Sequence, residues 1–338
     1  MLAVTQTINV GALLFVVVTL LWVYQTDTSY FRFGPSRSCQ LPPGAKWCRA
    51  SHTNLVFAME ASDDYVSNVV CQGKVWESSV KPQEVQQAIE ERLPGQPRHM
   101  YDIGANLGWW TLRYAALGWS VDAFEPLPRN RALLNASLCR NAKLLPKTAH
   151  VRVHPVALGA VDRPGTRCAA YSEVNNIADA TICCEGDPCG GSMHVATNKR
   201  FVERGKVEVR SLDSYIRTMR GELGGRAPMP TFVKIDVEGY ECAVLTGGMQ
   251  VLSKPGPPLL MSEVNTYHSN LCSPREYLNR FQQAGYEIYL EPPRNVTRVK
   301  LLPAPPPQHV TRGGTTRDFW MASPMMAAGR AQFVLPSL

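Results

Sequence analysis

The sequence predicts an α/β fold in which a mostly parallel sheet is covered on both faces by helices. Three observations predict it. After Pro94-Gly95, short apolar runs alternate with segments of helical period, and strands separated by helices are joined by crossovers that make them parallel. A glycine-rich turn, Tyr101 to Thr111, stands where one such strand passes into a helix. Acidic residues follow the apolar runs at Glu125, Asp236 and Glu263, at the sheet edge where open α/β folds bind ligands.

The chain opens on INVGALLFVVVTLLWVY (8–24), which carries no charge. Seven of the nine residues from Leu13 to Leu21 are Leu or Val, so no polar face is left for water, and Trp22 and Tyr24 sit where interfacial aromatics belong. A single N-terminal transmembrane helix or signal segment is predicted for 1–26. A cleaved signal is the weaker version, because no small-x-small pattern follows and the preceding residues hold no Lys or Arg. Two arguments on orientation oppose each other. Arg32, Arg37, Lys46 and Arg49 follow the apolar run, which by the positive-inside rule places the bulk of the chain in the cytosol. Ten cysteines and the triplets Asn135-Ala136-Ser137 and Asn295-Val296-Thr297 point instead to an oxidising lumen. The expectation is an endomembrane (ER or Golgi) protein with a luminal catalytic domain. Cys183, Cys184 and Cys189 lack the paired spacing of a zinc site, so disulfides or buried thiols are expected over metal.

Residues 27–54, rich in Ser, Pro, Gly and Arg, read as a stalk. An N-terminal extension, 55–98, offers two β-like runs, NLVFAME and NVVCQGKVW, then a helix over PQEVQQAIEERL with Pro at its start. The main domain, 99–325, has strands at HMYDIG, SVDAFEP, VRVHPVALGA, TFVKIDVEG, PPLLMSEVN, YEIYLE and DFWMAS. Helices are predicted at TLRYAALG, RNRALLNASLCRN, YECAVLTGGMQVL and SPREYLNRFQQAG. The stretch from about 165 to 206 shows little clean period and reads as an insertion, either a stapled lid or poorly ordered. Pro292 to Pro307 reads as a loop, and 326–338 as a tail.

Gly104 and Gly108 permit a tight turn and close helix packing, and the helix N-terminus presents free N–H groups. A dinucleotide site wants a second glycine in G-x-G-x-x-G so that backbone can touch pyrophosphate, and here that position is Asn106. The turn therefore favours an adenosine ligand without phosphates, such as S-adenosyl-L-methionine. Asp102 is placed to hold the cationic amino end of such a cofactor, or to cap the turn. Glu125, 23 residues after Asp102, lies near the offset at which an acid meets ribose hydroxyls.

DIGANLGWWT at 102–111, FEP at 124–126, SLDSY at 211–215 and KIDVEGYECAVLTGG at 234–248 together resemble the FkbM family of methyltransferases. MSEV at 261–264 and DDYVSNVVCQGKVWE at 63–77 fit less tightly, and the whole runs over about 240 residues in the family's order. The resemblance implies a class I methyltransferase (Rossmann-like) three-layer fold with a mostly parallel seven-stranded sheet, and O-methylation of hydroxyls on sugars, polyketides and other natural products. It implies that Asp102, Gly104, Asn106 and Gly108 form the cofactor turn, Glu125 the ribose contact, and Ala157 and Leu158 the surroundings of the adenine. The cysteine-containing insertion and the Pro-rich loop depart from the family.

Methyl transfer to oxygen needs in-line alignment and a proton acceptor. TFVKI delivers Asp236 to the carboxyl edge with Glu238 beyond it, and LLMS delivers Glu263, with Asn265 and His268 in the following loop. Asp236, Glu263 and His268 are the expected catalytic residues, and Glu238 with Lys234 is an expected structural pair. Three carboxylates at one edge also resemble a divalent-metal site, which the family does not require. The expected partners are a hydroxyl-bearing small molecule or glycan and, through the N-terminal helix, a membrane. The charge of +7 contains no block of five like charges, so nucleic acid is not expected. The competing classes are an inactive membrane-tethered nucleoside-binding or interaction protein and an NAD-dependent oxidoreductase.

Overall fold

The computed structural model describes residues 29–30, 39–51, 53–62, 64–76, 81–161, 164–185, 200–222, 224–225, 229–253, 256–264, 271–289 and 317–328. The apolar run at 8–24, Cys189, Asn265, His268, the triplet at Asn295 and the Pro-rich loop lie outside them. Among the described residues no helix is long and apolar enough to cross a membrane.

The main sheet runs β1-β6-β5-β4-β11-β12-β14-β13. Its strands are β1 (Ser29–Tyr30), β4 (His99–Ile103), β5 (Ser120–Phe124), β6 (Val151–His154), β11 (Phe232–Ile235), β12 (Leu259–Val264), β13 (Glu287–Tyr289) and β14 (Arg317–Ala322). From β6 to β12 every neighbouring pair is parallel, and β14 alone of the seven expected strands runs against them. The expected seven-stranded sheet is thus present, and β1 extends it to eight by an antiparallel pairing with β6. Strand order reverses between β4 and β11, which opens a crevice at their carboxyl ends.

Both faces are buried, as a parallel sheet requires. Met100 and Phe232 face one apolar layer with Trp110, Tyr114 and Trp320, while Tyr101, Ile103, Val233 and Ile235 face the other with Leu212, Val244 and Leu252. Helices α3 (Trp109–Ala116) and α4 (Pro128–Asn141) belong to the first layer, and α5 (Leu212–Glu222), α6 (Glu241–Gly247), α7 (Met249–Ser253) and α8 (Pro274–Gln283) to the second. Helix α9 (Pro324–Ala328) follows β14.

Four expectations are corrected. Residues 39–51 of the expected stalk are packed on the domain: β2 (Ala45–Arg49) pairs with β3 (Val56–Glu60), Cys48 is buried, and Cys39 is bonded to Cys139 of α4. The run NVVCQGKVW is not β: its start lies in helix α1 (Tyr65–Cys71), because Asp64 accepts the Ser67 N–H at 2.8 Å as N-cap and buries Val66 and Val70 on one helical face. The helix at α2 (Pro82–Arg92) is as expected.

The run VRVHPVALGA is two strands, because Pro155 ends β6 and lets β7 (Ala157–Leu158) join a second sheet. That sheet, β7-β10-β8-β9, is the insertion, with β8 (Arg167–Glu173), β9 (Ala180–Cys183) and β10 (Phe201–Arg210). The Cys168–Cys184 disulfide staples it. The triplet at Asn135 sits within α4, where Ser137 is wholly buried and accepts the Ala58 N–H at 2.8 Å, so its residues serve packing rather than a surface loop.

Four disulfides are formed among the described residues, Cys39–Cys139, Cys48–Cys71, Cys168–Cys184 and Cys242–Cys272, and no described cysteine is free. The first spans 100 residues. A loop of that size restricts the unfolded chain most, so replacing Cys39 and Cys139 together by alanine is expected to cost about 2–5 kcal/mol in urea unfolding at unchanged secondary structure.

Candidate active site

A cleft of about 570 Å³, counted to its open mouth, lies at the carboxyl ends of β4, β5 and β11. The glycine turn supplies Gly104 and Asn106, the end of β5 supplies Phe124 to Leu127, and Val156, Ala157 and Leu158 follow β6. Asp236, Val237, Glu238 and Tyr240 follow β11. The β8–β9 hairpin closes the remaining side with Ala178, Asp179, Ala180 and Ile182.

Gly104 is required by geometry: its φ is +81°, and a Cβ there would lie 1.8 Å from the Asp236 carbonyl oxygen. Gly108 caps α3 at φ +86°, and a Cβ would lie 2.2 Å from Leu134 Cδ1, so it sets helix packing rather than lining the cleft. Asn106 and Glu238 are the described non-glycine residues with positive φ, at 51° and 53°, and both line the cleft. Asparagine tolerates that conformation, whereas for glutamate it is strained.

Glu125 is buried and bridges two loops, accepting the Asn106 N–H on Oε2 and the Leu127 N–H on Oε1, both at 2.8 Å. Burial pushes its carboxyl up to about 7 despite these donors.

Asp102 has no surface in the cleft. It is fully buried on the α3 face of β4, where Oδ2 accepts the Thr111 hydroxyl at 2.5 Å and Oδ1 stands 4.0 Å from Lys234 Nζ. Lys234, its register partner on β11, donates to the Gly104 carbonyl at 3.1 Å and meets Asp236 Oδ2 at 3.0 Å. The expected Lys234–Glu238 pair is therefore replaced by Lys234–Asp236: the strand ends after Ile235, and Asp236 is the first residue free to turn back.

Asp236, Glu238 and Glu263 converge, with one oxygen of each within 4.8 Å of the others. That spacing is satisfied by shared protons or by one divalent cation. Burial raises the Asp236 carboxyl, but the Lys234 charge and hydrogen bonds from Glu263 and Lys234 outweigh it and hold the group below its ordinary range. Glu263 is pushed well up, by burial and then by Asp236 and Glu238, so Glu263 carries the proton of the Asp236–Glu263 bond. Glu238 is raised by burial and by Asp179 and Asp236.

Two residues were given no role by the sequence. Glu241 is buried at the start of α6 and folds back to accept the Gly239 N–H at 3.0 Å and the Val237 N–H at 3.2 Å, which sets the loop that carries Asp236 and Glu238. Asp179 accepts Asn106 Nδ2 and Asn176 Nδ2, each at 2.5 Å. His268 lies outside the described residues, while Gly104, Asn106, Glu125, Ala157, Leu158 and Asp236 are brought together in one cleft and Glu263 stands behind Asp236.

Among the described residues that line the cleft none is a lysine or arginine, and the charged side chains there are carboxylates. Apolar Phe124, Val156, Leu158 and Ile182 suit a flat heterocycle, and the carboxylates suit hydroxyls and a cation. Strand order, switch-point turn and the acid ending the second strand of the parallel set together describe a Rossmann-like methyltransferase domain. The family described as Methyltransferase FkbM domain matches residues 102–288, more than half of the chain, and the chain belongs to that family.

Among solved structures, the chain is similar to the methyltransferase FkbM of Methylobacillus flagellatus KT, at 18% identity and a TM-score of 0.35, over 67% of this chain and 43% of that one. It is also similar to the precorrin-6y C5,15-methyltransferase of Geobacter metallireducens GS-15, at 11% identity and a TM-score of 0.31, over 74% and 94%. The SAM-dependent methyltransferase of Agrobacterium tumefaciens is matched at 10% identity and a TM-score of 0.37, over 90% and 78%. The chain spans less than half the length of the Methylobacillus protein. No curated protein sequence matches it.

Glu125, Asp179 and Glu241 are each raised to about 7, burial being the largest cause in each. Such groups bind the proton more tightly folded than unfolded, so the stability they contribute is complete below their unfolded pKa near 4 and is lost as pH rises through about 7. The melting temperature of the ligand-free protein is expected to fall between pH 5 and pH 8, and Glu125→Gln is expected to flatten that fall in a calorimetric pH series.

Proposed function

We propose that the chain transfers a methyl group from S-adenosyl-L-methionine to a hydroxyl on a glycan or another natural product. The observation that carries this reading is a switch-point cleft whose described lining holds carboxylates and no lysine or arginine. A dinucleotide would bring two phosphates into that field, whereas a sulfonium nucleoside brings a positive charge. Family membership supports the same reading.

S-adenosyl-L-methionine, when bound, supplies an electrophilic methyl group. Gly104 and Asn106 form the turn beneath it, Glu125 offers carboxylate oxygens for ribose hydroxyls, and Ala157 and Leu158 border the space for the adenine. Asp102 acts at one remove, by fixing Lys234 and hence Asp236. Asp236 stands ionised at the mouth, 21% exposed, with Lys234 and protonated Glu263 holding its orientation. A hydroxyl oxygen under methylation becomes strongly acidic as its new bond forms, so a carboxylate of low pKa is a sufficient acceptor for its proton. The proton then rests on Asp236, from which it leaves through the open mouth of the cleft.

The location we propose is luminal, in the ER or Golgi, with the N-terminal apolar run as membrane anchor. The disulfides support an oxidising compartment. A glycan acceptor fits that location. Protection of the domain from protease in intact microsomes is the expected result; digestion there would move it to the cytosol.

Isothermal titration is expected to show binding of S-adenosyl-L-methionine and its demethylated product and no binding of NAD. Heat with NAD alone would overturn the reading. Asp236→Asn is expected to lower transfer of labelled methyl by about 10²- to 10⁴-fold while leaving cofactor binding within a few-fold; unchanged transfer would remove Asp236 from the chemistry.

A further inference from the structure

We propose that Asp179 makes the cleft select a cationic sulfonium over the neutral thioether left after methyl transfer, and that the β8–β9 hairpin is thereby a built part of cofactor recognition. This rests on the methyltransferase reading above and deepens it.

Asp179 comes from the connection between β8 and β9, not from the sheet that supplies the other acids. Each of its oxygens is held by an amide, Asn106 Nδ2 from the glycine turn and Asn176 Nδ2 from the hairpin. Amide donors orient a carboxylate without cancelling its charge. The charges that act on Asp179 are themselves negative, Asp236 and Asp64. Lys234, the buried cation beneath Asp236, is already shared by Asp236 and the Gly104 carbonyl. Among the described residues no cation pairs with Asp179, and we assign that counter-charge to a ligand.

The hairpin is fixed before any ligand arrives. Asn130 Nδ2 donates to the Ala178 carbonyl at 2.9 Å, the Ala178 N–H donates to Asp64 at 3.2 Å, and the Tyr65 N–H to Asn176 Oδ1 at 3.3 Å. Cys184, bonded to Cys168, touches the Tyr240 hydroxyl at 3.2 Å on the opposite wall. A preorganised charge discriminates because it does not relax to suit a neutral ligand. Methyl transfer breaks the carbon–sulfur bond with its electron pair left on sulfur, which takes the sulfur from +1 to neutral. Asp179 then loses its counter-charge, which favours release of the product.

The test titrates the full chain at pH 8 with S-adenosyl-L-methionine and with S-adenosylhomocysteine. For Asp179→Asn, which keeps an acceptor for Asn106, affinity for the first is expected to fall about tenfold and for the second by less than about twofold. Asp179→Ser is expected to show the same loss of discrimination from a smaller side chain. Asn176→Ala keeps the charge, so any change there should affect both ligands alike. An unchanged ratio in both Asp179 variants, or equal weakening of both ligands, would overturn the proposal. Failure of the unaltered chain to bind either ligand would overturn the methyltransferase reading and this inference with it.

Discussion

Lys234 is the cation around which the carboxyl end of the sheet is assembled. An ammonium 3% exposed must be paired, because leaving it alone in the interior costs several kcal/mol. Its register partner Asp102 is fully buried, and the residues two positions on, just past each strand's end, Gly104 and Asp236, supply a carbonyl and a second carboxylate. Two strands from opposite sides of the topological switch are thereby locked at one height. Asp102 is held in turn by Thr111, so the same knot fixes where α3 begins. Gly104 lets the Asp236 carbonyl approach to a distance that any Cβ would forbid. The floor of the cleft follows from satisfying one charge.

That arrangement leaves the cleft with more acid than base. Lys234 offsets Asp236 and part of Asp102 and acts weakly on Glu238, and Arg131 acts on Glu125, yet in Glu263, Glu238, Glu125 and Asp179 burial outweighs every stabilising partner. Burial raises each of them, so protons occupy several of these sites near neutral pH. Asp318, paired with Glu263 across β12 and β14, is raised to about 6 by burial and by Asp236.

What the sequence made legible were residues whose type is forced by their own backbone. Gly104, Gly108 and Asn106 sit at positive φ, and that requirement is visible without the rest of the fold. Glu125 and Asp236 were readable because each is the first residue after an apolar strand. Asp102 was expected in the cofactor turn, yet it belongs to β4 and its side chain points to Thr111 and Lys234. That direction depends on strand register, which one sequence does not carry. Asp179 was hidden for a related reason. Strand β10 alternates weakly and pairs with β7 and β8 across a register shift at Glu203 and Gly205, so the insertion shows little period although it forms a sheet. The Tyr65–Cys71 helix was masked by valines that read as β until the Asp64 cap is counted.

The N-terminal extension then has a role that its position in the chain does not suggest. Asp64 caps α1 with one oxygen and takes the Ala178 N–H with the other, one residue before Asp179. Helix α1 is tied to β2 by Cys48–Cys71, and the segment before β2 is tied to α4 by Cys39–Cys139. Strand β3 lies against the same helix, with Val56 and Ala58 bonded to Asn141 and Ser137, and Arg129 forked onto Glu60. The path from those bridges through Asp64 and Ala178 to Asp179 and Asn106 is continuous. A hairpin held only by its own strands would leave a charge over the cleft free to swing to solvent. Anchored at its tip by the extension, it holds that charge where an amide of the glycine turn can reach it. The extension is accordingly the far support of the cleft wall, and the disulfides that hold it belong to the same mechanical unit as the site.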